Sequence, residues 1–145
     1  AERFAPEMLH PTLYALEGCL LAGDAYLPLI TKGFEAVIQL QGADGSLPES
    51  PDNAQPYRSD IIAQALRVGV LLEQRLQMPG RFQPALDQLA TCLCQRITAI
   101  GYLPFDPATS NQPNTWCAMF AEQALRLYRA MQQNQPLPFT AEDLV

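Results

Sequence analysis

Thirteen prolines constrain this 145-residue chain more than any other feature, because they fall in clusters. Proline lacks a backbone N–H and clashes with the turn before it, so each cluster ends one helix and each proline-free run permits another. Pro11, Pro28, the group Pro48, Pro51 and Pro56, the pair Pro79 and Pro84, the group Pro104, Pro107 and Pro113, and the pair Pro136 and Pro138 are the punctuation. The spacing predicts five helices, over 10–23, 27–41, 58–77, 83–99 and 114–133. No segment alternates at period two, so no strand is predicted.

The five runs are of two kinds. The fourth carries Leu86, Leu89, Leu93, Ile97 and Ile100 on one side and Asp87, Gln88, Gln95 and Arg96 elsewhere, the stripe of a helix with one face in water. The second resembles it, with Leu27, Ile30, Phe34, Val37, Ile38 and Leu40 opposite Thr31, Lys32, Glu35 and Gln39. The first, third and fifth read LYALEGCLLAG, DIIAQALRVGVLL and TWCAMFAEQALRLY, apolar over most of the circumference and rich in Ala and Gly. Those three are expected to be buried on most sides, packing closely through Gly18, Ala22, Ala63, Ala65, Gly69, Ala118, Ala121 and Ala124.

An internal repeat agrees with this alternation. GSLPE at Gly45–Glu49 recurs as GYLPF at Gly101–Phe105, and AQALR at Ala63–Arg67 recurs at a nearly equal offset as EQALR at Glu122–Arg126. A period of about 56 residues exceeds those of the familiar helical arrays, about 34 to 47 residues, and suits two helices with two loops.

Alternating inner and outer helices, with LQGADGSLPE where an outer helix ends, resemble the α/α toroid superfamily of six-hairpin glycosidases, sugar epimerases and lyases, and terpenoid cyclases and prenyltransferases. Cyclases of that superfamily repeat a stretch of the form Gln, a few residues, Gly, any residue, Trp. Here Gln39, Gln41 and Asp44–Gly45–Ser46 match it loosely, with Leu47 in place of the aromatic. The resemblance implies an all-α fold, an incomplete α/α toroid with helices 1, 3 and 5 inside and 2 and 4 outside. A single domain over 1–135 and a C-terminal tail over 136–145 are expected, the tail extended or weakly ordered despite the capping-box-like Thr140–Ala141–Glu142–Asp143.

Five helices make at most half such a ring, so helices 1 and 5 are expected to expose apolar flanks. The expected partners are the remainder of a longer polypeptide or a second copy of the chain, in a homodimer. The start AERFAPEM, without Met, agrees with a processed product or a piece of something longer, read as the C-terminal part of a carbohydrate-active protein.

Composition removes other classes. With 48% apolar residues and no apolar run near the roughly 18 that a membrane span needs, a soluble, cytoplasmic globular chain is expected, with no membrane association. Fifteen acids against nine bases give a net charge of −6, and no Lys/Arg cluster offers a footprint for nucleic acid. Cys19, Cys92, Cys94 and Cys117 lie in helical runs without metal-ligand spacing, so buried free thiols, no metal and no cofactor are expected. Neither a glycine-rich phosphate cradle nor a nucleophile elbow is present.

In toroids the ligand funnel opens at the first turns of the inner helices and the loops before them. Here those loops supply Asp44, Glu49, Asp52, Tyr57, Arg58 and Asp60 ahead of helix 3, and Asp106, Asn111, Asn114 and Trp116 ahead of helix 5. His10, Tyr14 and Glu17 form one stripe of helix 1. His10, Glu17 and Asp60 are the candidate general acid and base of a glycosidase-, lyase- or epimerase-like site. Tyr14, Glu49, Tyr57, Arg58, Asn114 and Trp116 are candidate saccharide contacts, with Tyr57 and Trp116 as stacking platforms. Each has a structural alternative: His10 opening the helix ahead of Pro11, Ser59 or Asp60 and Asn114 as caps, Glu17 in a salt bridge with Arg67 or Arg126, and Trp116 as core. A helical-repeat module that binds another protein and performs no catalysis is the competing function.

Overall fold

A computed structural model of the chain describes residues 6–53, 58–77, 80–108 and 110–144. Its helices are α1 (Leu9–Ala22), α2 (Leu27–Ile38), α3 (Ser59–Leu76), α4 (Gln83–Arg96) and α5 (Thr115–Gln132), with short 3₁₀ turns at Asp24–Tyr26 and Ala141–Leu144. The proline rule explains the starts: α2 and α4 both carry proline in their first two positions, at Pro28 and Pro84. Asn114 caps α5, its Oδ1 accepting from the Cys117 amide at 3.0 Å. No described helix is long and apolar enough to cross a membrane.

Helix α3 is the hub and packs against each of the other four helices. Fifteen of its residues are buried, from Ser59 to Glu73 without a break. Gly69 is where the neighbours close in: a Cβ there would lie 2.4 Å from Leu86 Cδ2 of α4 and 2.6 Å from Phe34 Cζ of α2.

Contacts along the helices give their directions. His10, Glu17 and Asp24 meet Asp60, Arg67 and Arg75 in turn, while Asp60 lies beside Cys117 and Arg67 reaches Gln123, so α1, α3 and α5 run parallel. Glu73 accepts from the Phe82 amide, Gly69 abuts Leu86 and Ser59 meets Arg96, so α4 runs against α3. On α2, Phe34 packs on Phe82 and Glu35 pairs with Arg81, while Gln41, just beyond it, reaches Ala85; α2 follows the direction of α4.

Several expectations need correction. Only α3 is buried all round. α1 buries one stripe, Leu9, Leu13, Leu16 and Leu20, and α5 buries Cys117, Phe120, Ala121, Ala124, Leu127 and Ala130. Gly18, Ala22 and Ala118, expected at close helix contacts, are exposed, because each lies off the stripe that its helix buries. Thr31 of α2 is buried, whereas Ile97 and Ile100, beyond the end of α4, are 41% and 85% exposed. Cys92 and Cys117 are buried, but Cys19 is half-buried and Cys94 exposed.

Two strands that the sequence does not announce, β1 (Pro104–Asp106) and β2 (Ser110–Pro113), pair antiparallel as a small ribbon ahead of α5. The tail is not merely extended. Ala141 is buried, and Thr140 donates from its amide (2.8 Å) and hydroxyl (3.1 Å) to Asp143 Oδ2.

The repeat holds in three dimensions. α2 and α4 start at Leu27 and Gln83, and α3 and α5 at Ser59 and Thr115, the same shift along the chain in both cases. Gly45 and Gly101 share a left-handed φ, +83° and +86°, and Leu47 and Leu103 behind them are both buried. AQALR begins at the fifth position of α3 and EQALR at the eighth of α5, so these two segments stand almost one helical turn out of step.

Candidate functional site

Because α1, α3 and α5 are parallel, their N-terminal turns meet at one end of the bundle. A cleft of about 240 Å³ opens there, lined by His10 and Tyr14 of α1, Arg58 and Asp60 around the start of α3, Phe105 of β1, and Asn114, Trp116 and Phe120 around the start of α5. Six of these eight residues are sequence candidates. The other two, Phe105 and Phe120, are apolar and carried no chemical signal of their own. A hint existed for Phe105, since it occupies in GYLPF the place of Glu49 in GSLPE.

The two repeat copies converge on one guanidinium. Arg58 donates to Asp60 from Nε (3.1 Å) and Nη2 (2.7 Å), a bidentate pair, and its Nη1 lies 3.4 Å from Glu49 Oε1. Its Cζ stands 4.8 Å above the Phe105 ring. Glu49 and Phe105, equivalent positions of the two copies, thus hold the same side chain by charge and by ring face. The backbone carbonyl of Glu49 also accepts from the Leu9 amide at 2.9 Å, which ties the loop to the first turn of α1.

One layer deeper lies a second cationic cluster. Arg67, 2% exposed, pairs with Glu17 Oε1 (2.5 Å), donates to Gln123 Oε1 (2.6 Å), and rests 4.5 Å from the centre of the Phe120 ring. Gln64 donates to Glu17 Oε2 at 3.2 Å. Glu17 therefore turns away from the cleft and cross-links α1 to α3, the structural alternative for this residue.

His10 packs edge-on against Tyr14, ring centres 4.8 Å apart, and its Nε2 lies 3.8 Å from Asp60 Oδ2, too far for a hydrogen bond. Its Nδ1 and the Oε1 of Gln64 are buried with no partner of ideal hydrogen-bond geometry among the described residues, although the Gln64 side chain lies close enough to act on the imidazole. Burial lowers the His10 pKa from its ordinary value, outweighing the pull of Asp60, and so favours the neutral imidazole. Burial also raises the Tyr14 phenol, with Glu17 adding to the effect. The Cys117 thiol is pushed up to about 11 by burial and the nearby Asp60 carboxylate, and stays protonated.

Trp116 is 65% exposed and packs its ring against Phe120 at 6.2 Å; it is a wall of the cleft and not core. Asn114 lines the cleft while serving as the α5 cap. Asp44 is spent on a local turn, accepting from the Ser46 hydroxyl (2.6 Å) and amide (3.0 Å), and these bonds hold its carboxyl below the usual range. Asp106 is buried and accepts from the Ala108 amide, and Asp52 is exposed outside the cleft. Tyr57 lies outside the described residues, as does the side chain of Asn111. Among the described residues no three His, Cys, Asp or Glu side chains gather closely enough to hold a metal ion.

A larger groove of about 580 Å³ follows the seam between α4 and α5, lined by Ala90, Thr91, Cys94, Gln95, Leu125, Tyr128 and Arg129. It lies along an edge of the bundle, without the converging charged groups of the cleft. No protein-family model matches the chain, nor does a curated protein or a solved structure.

Proposed function

We propose that this chain is a helical domain, built as a partial α/α toroid, that binds a saccharide in the cleft at the N-terminal ends of α1, α3 and α5. The observation that carries this reading is the meeting of Tyr14, Phe105, Trp116 and Phe120 with His10, Arg58, Asp60 and Asn114 in one opening. A pyranose ring needs an apolar face to stack on and polar groups for its hydroxyls, and few-residue aromatic and polar convergence of this kind is the usual form of a small-ligand site. At about 240 Å³ the space suits a sugar ring or two, well below the larger sites that drug-sized ligands fill.

Binding is favoured over catalysis. Both Asp60 oxygens are engaged by Arg58, and Glu17 is locked by Arg67 and Gln64, so neither carboxyl is poised as an acid, base or nucleophile. An NMR titration of the isotope-labelled chain with a panel of hexoses and short oligosaccharides tests the reading. Amide shifts clustered at Tyr14, Asp60, Trp116 and Phe120 are expected, and an unchanged spectrum with every sugar sinks it.

A second reading concerns the α4–α5 edge. A Cβ on Gly45 would lie 2.2 Å from the Gln88 carbonyl oxygen of α4, whereas one on its counterpart Gly101 would meet nothing within 4 Å. Ile100 beside it is 85% exposed. This edge has the form of a seat for one more helical hairpin, supplied by the rest of a longer polypeptide or by a second copy. Light scattering of the purified chain checks the second-copy form: a dimer that Ile100→Glu converts to monomer supports it, and a monomer at every concentration removes it.

A further inference from the structure

We infer, resting on the saccharide reading above, that the cleft selects a cationic ligand, an amino sugar with a free ammonium group, over neutral and acidic sugars. The site already handles cations in a repeated way. Arg58 sits on the Phe105 ring at 4.8 Å and Arg67 on the Phe120 ring at 4.5 Å, so two of the four cleft aromatics each carry a guanidinium. The other two rings, Tyr14 and Trp116, are 47% and 65% exposed, and among the described residues no cation lies over them. Both residues line the cleft.

The local charge points the same way. At the cleft, Arg58 faces two carboxylates, Asp60 and Glu49, which leaves an excess of one negative charge. The whole chain carries −6. An ammonium group in the cleft that Tyr14 and Trp116 line meets aromatic rings and this surplus carboxylate charge. A uronic acid meets the same field with the opposite sign, and the guanidinium that could receive it is already forked onto Asp60 at 2.7 and 3.1 Å. A neutral sugar gains the stacking alone.

Trp116 is the only tryptophan, so the intrinsic fluorescence of the intact chain reports from the cleft wall. Titrations with glucosamine, N-acetylglucosamine and glucuronic acid, in a buffer acidic enough to protonate the free amine, compare one ring skeleton in three charge states. Glucosamine is expected to bind about tenfold more tightly than N-acetylglucosamine, with glucuronic acid weakest. The preference should shrink as salt is raised. Tyr14→Leu, at a half-exposed position where folding is readily checked by circular dichroism, should bring the glucosamine to N-acetylglucosamine ratio towards one.

If N-acetylglucosamine or glucuronic acid binds as tightly as glucosamine, or if Tyr14→Leu keeps the ratio, charge selection is overturned while the saccharide site stands. If none of the three sugars alters the fluorescence or the NMR spectrum of the folded chain, both fall together.

Discussion

Residues 27–76 and 83–132 are two copies of one layout, helix, proline-bearing connection and helix, yet they live in different surroundings. In the first copy the loop is clamped: Gly45, Ser46, Leu47, Pro48 and Ser50 are all buried, and α3 beyond it is enclosed on every side. In the second copy Leu103 and Pro104 keep their places in the core, but Gly101 faces open space and α5 leaves Trp116, Met119 and Arg126 exposed. The lesson is that burial in a repeated structure belongs to the position in the array. Matching residues with matching backbone angles differ in energetic weight because, among the described residues, more of the chain packs against the first copy than against the second.

The sharpest way to break this comparison is to place the same methyl group on both loop glycines. Gly45→Ala combines a left-handed backbone cost of about 1–2 kcal/mol with overpacking of about 1–3 kcal/mol against the Gln88 carbonyl, and should lose about 4 kcal/mol in urea unfolding. Gly101→Ala carries the backbone term alone and should lose about 1 kcal/mol. Equal losses would mean that the two loops are equally confined.

Next come the two arginines of the imperfect sequence match. Arg67→Ala strips the partner from Glu17 and support from Gln123 in a nearly dry setting, and is expected to cost about 3 kcal/mol. Arg126 pairs with Glu122 on the surface, and Arg126→Ala should change stability by less than about 0.5 kcal/mol. Thermal denaturation of the two variants side by side decides this, and a costly Arg126→Ala would show that the second copy is covered after all.

A smaller effect separates the helix starts. α5 begins on the Asn114 cap, whereas no side-chain cap bond is made at Arg58, where α3 begins. Asn114→Ala should cost about 1 kcal/mol, restored by Asn114→Ser or Asn114→Asp. Failure of those replacements to recover stability would shift the role of Asn114 away from capping.

The smallest is a slope. His10 sits between the copies, against Asp60 of one and Phe120 of the other, and burial depresses its folded pKa below the unfolded 6.5. The unfolded chain therefore binds the proton more readily, and the contribution is complete above the unfolded value and lost as pH falls through and below it. His10→Gln should flatten the stability profile in that window alone, measured as the difference between the two unfolding curves. An unchanged profile would place the imidazole in water.

Much of this was legible in the chain itself. Proline punctuation places all five helices to within a few residues, because a missing N–H acts locally and tolerates no compensation at a helix interior. Six cleft residues could be named because the first turns of alternate helices had to share one end. What escaped is what depends on neighbours. The ribbon at 104–113 has prolines at both ends and no alternation, and exists because its partner strand lies across a tight turn. Phe105 and Phe120 carry no chemical signal in the sequence, and their role arises from the guanidiniums above them. Trp116 could be read as core, but it stands off the stripe that α5 buries and is exposed.

Arg75 grips Asp24 through one terminal nitrogen (2.9 Å) and Glu142 through the other (3.4 Å), while the 3₁₀ turn at Ala141–Leu144 touches α1. That turn has a seat only after α1 and α3 have come together, so it works as a latch thrown once the bundle is finished. Held largely by exposed ion pairs, it is also where the molecule should breathe first, and its amides would exchange with solvent long before those of α3.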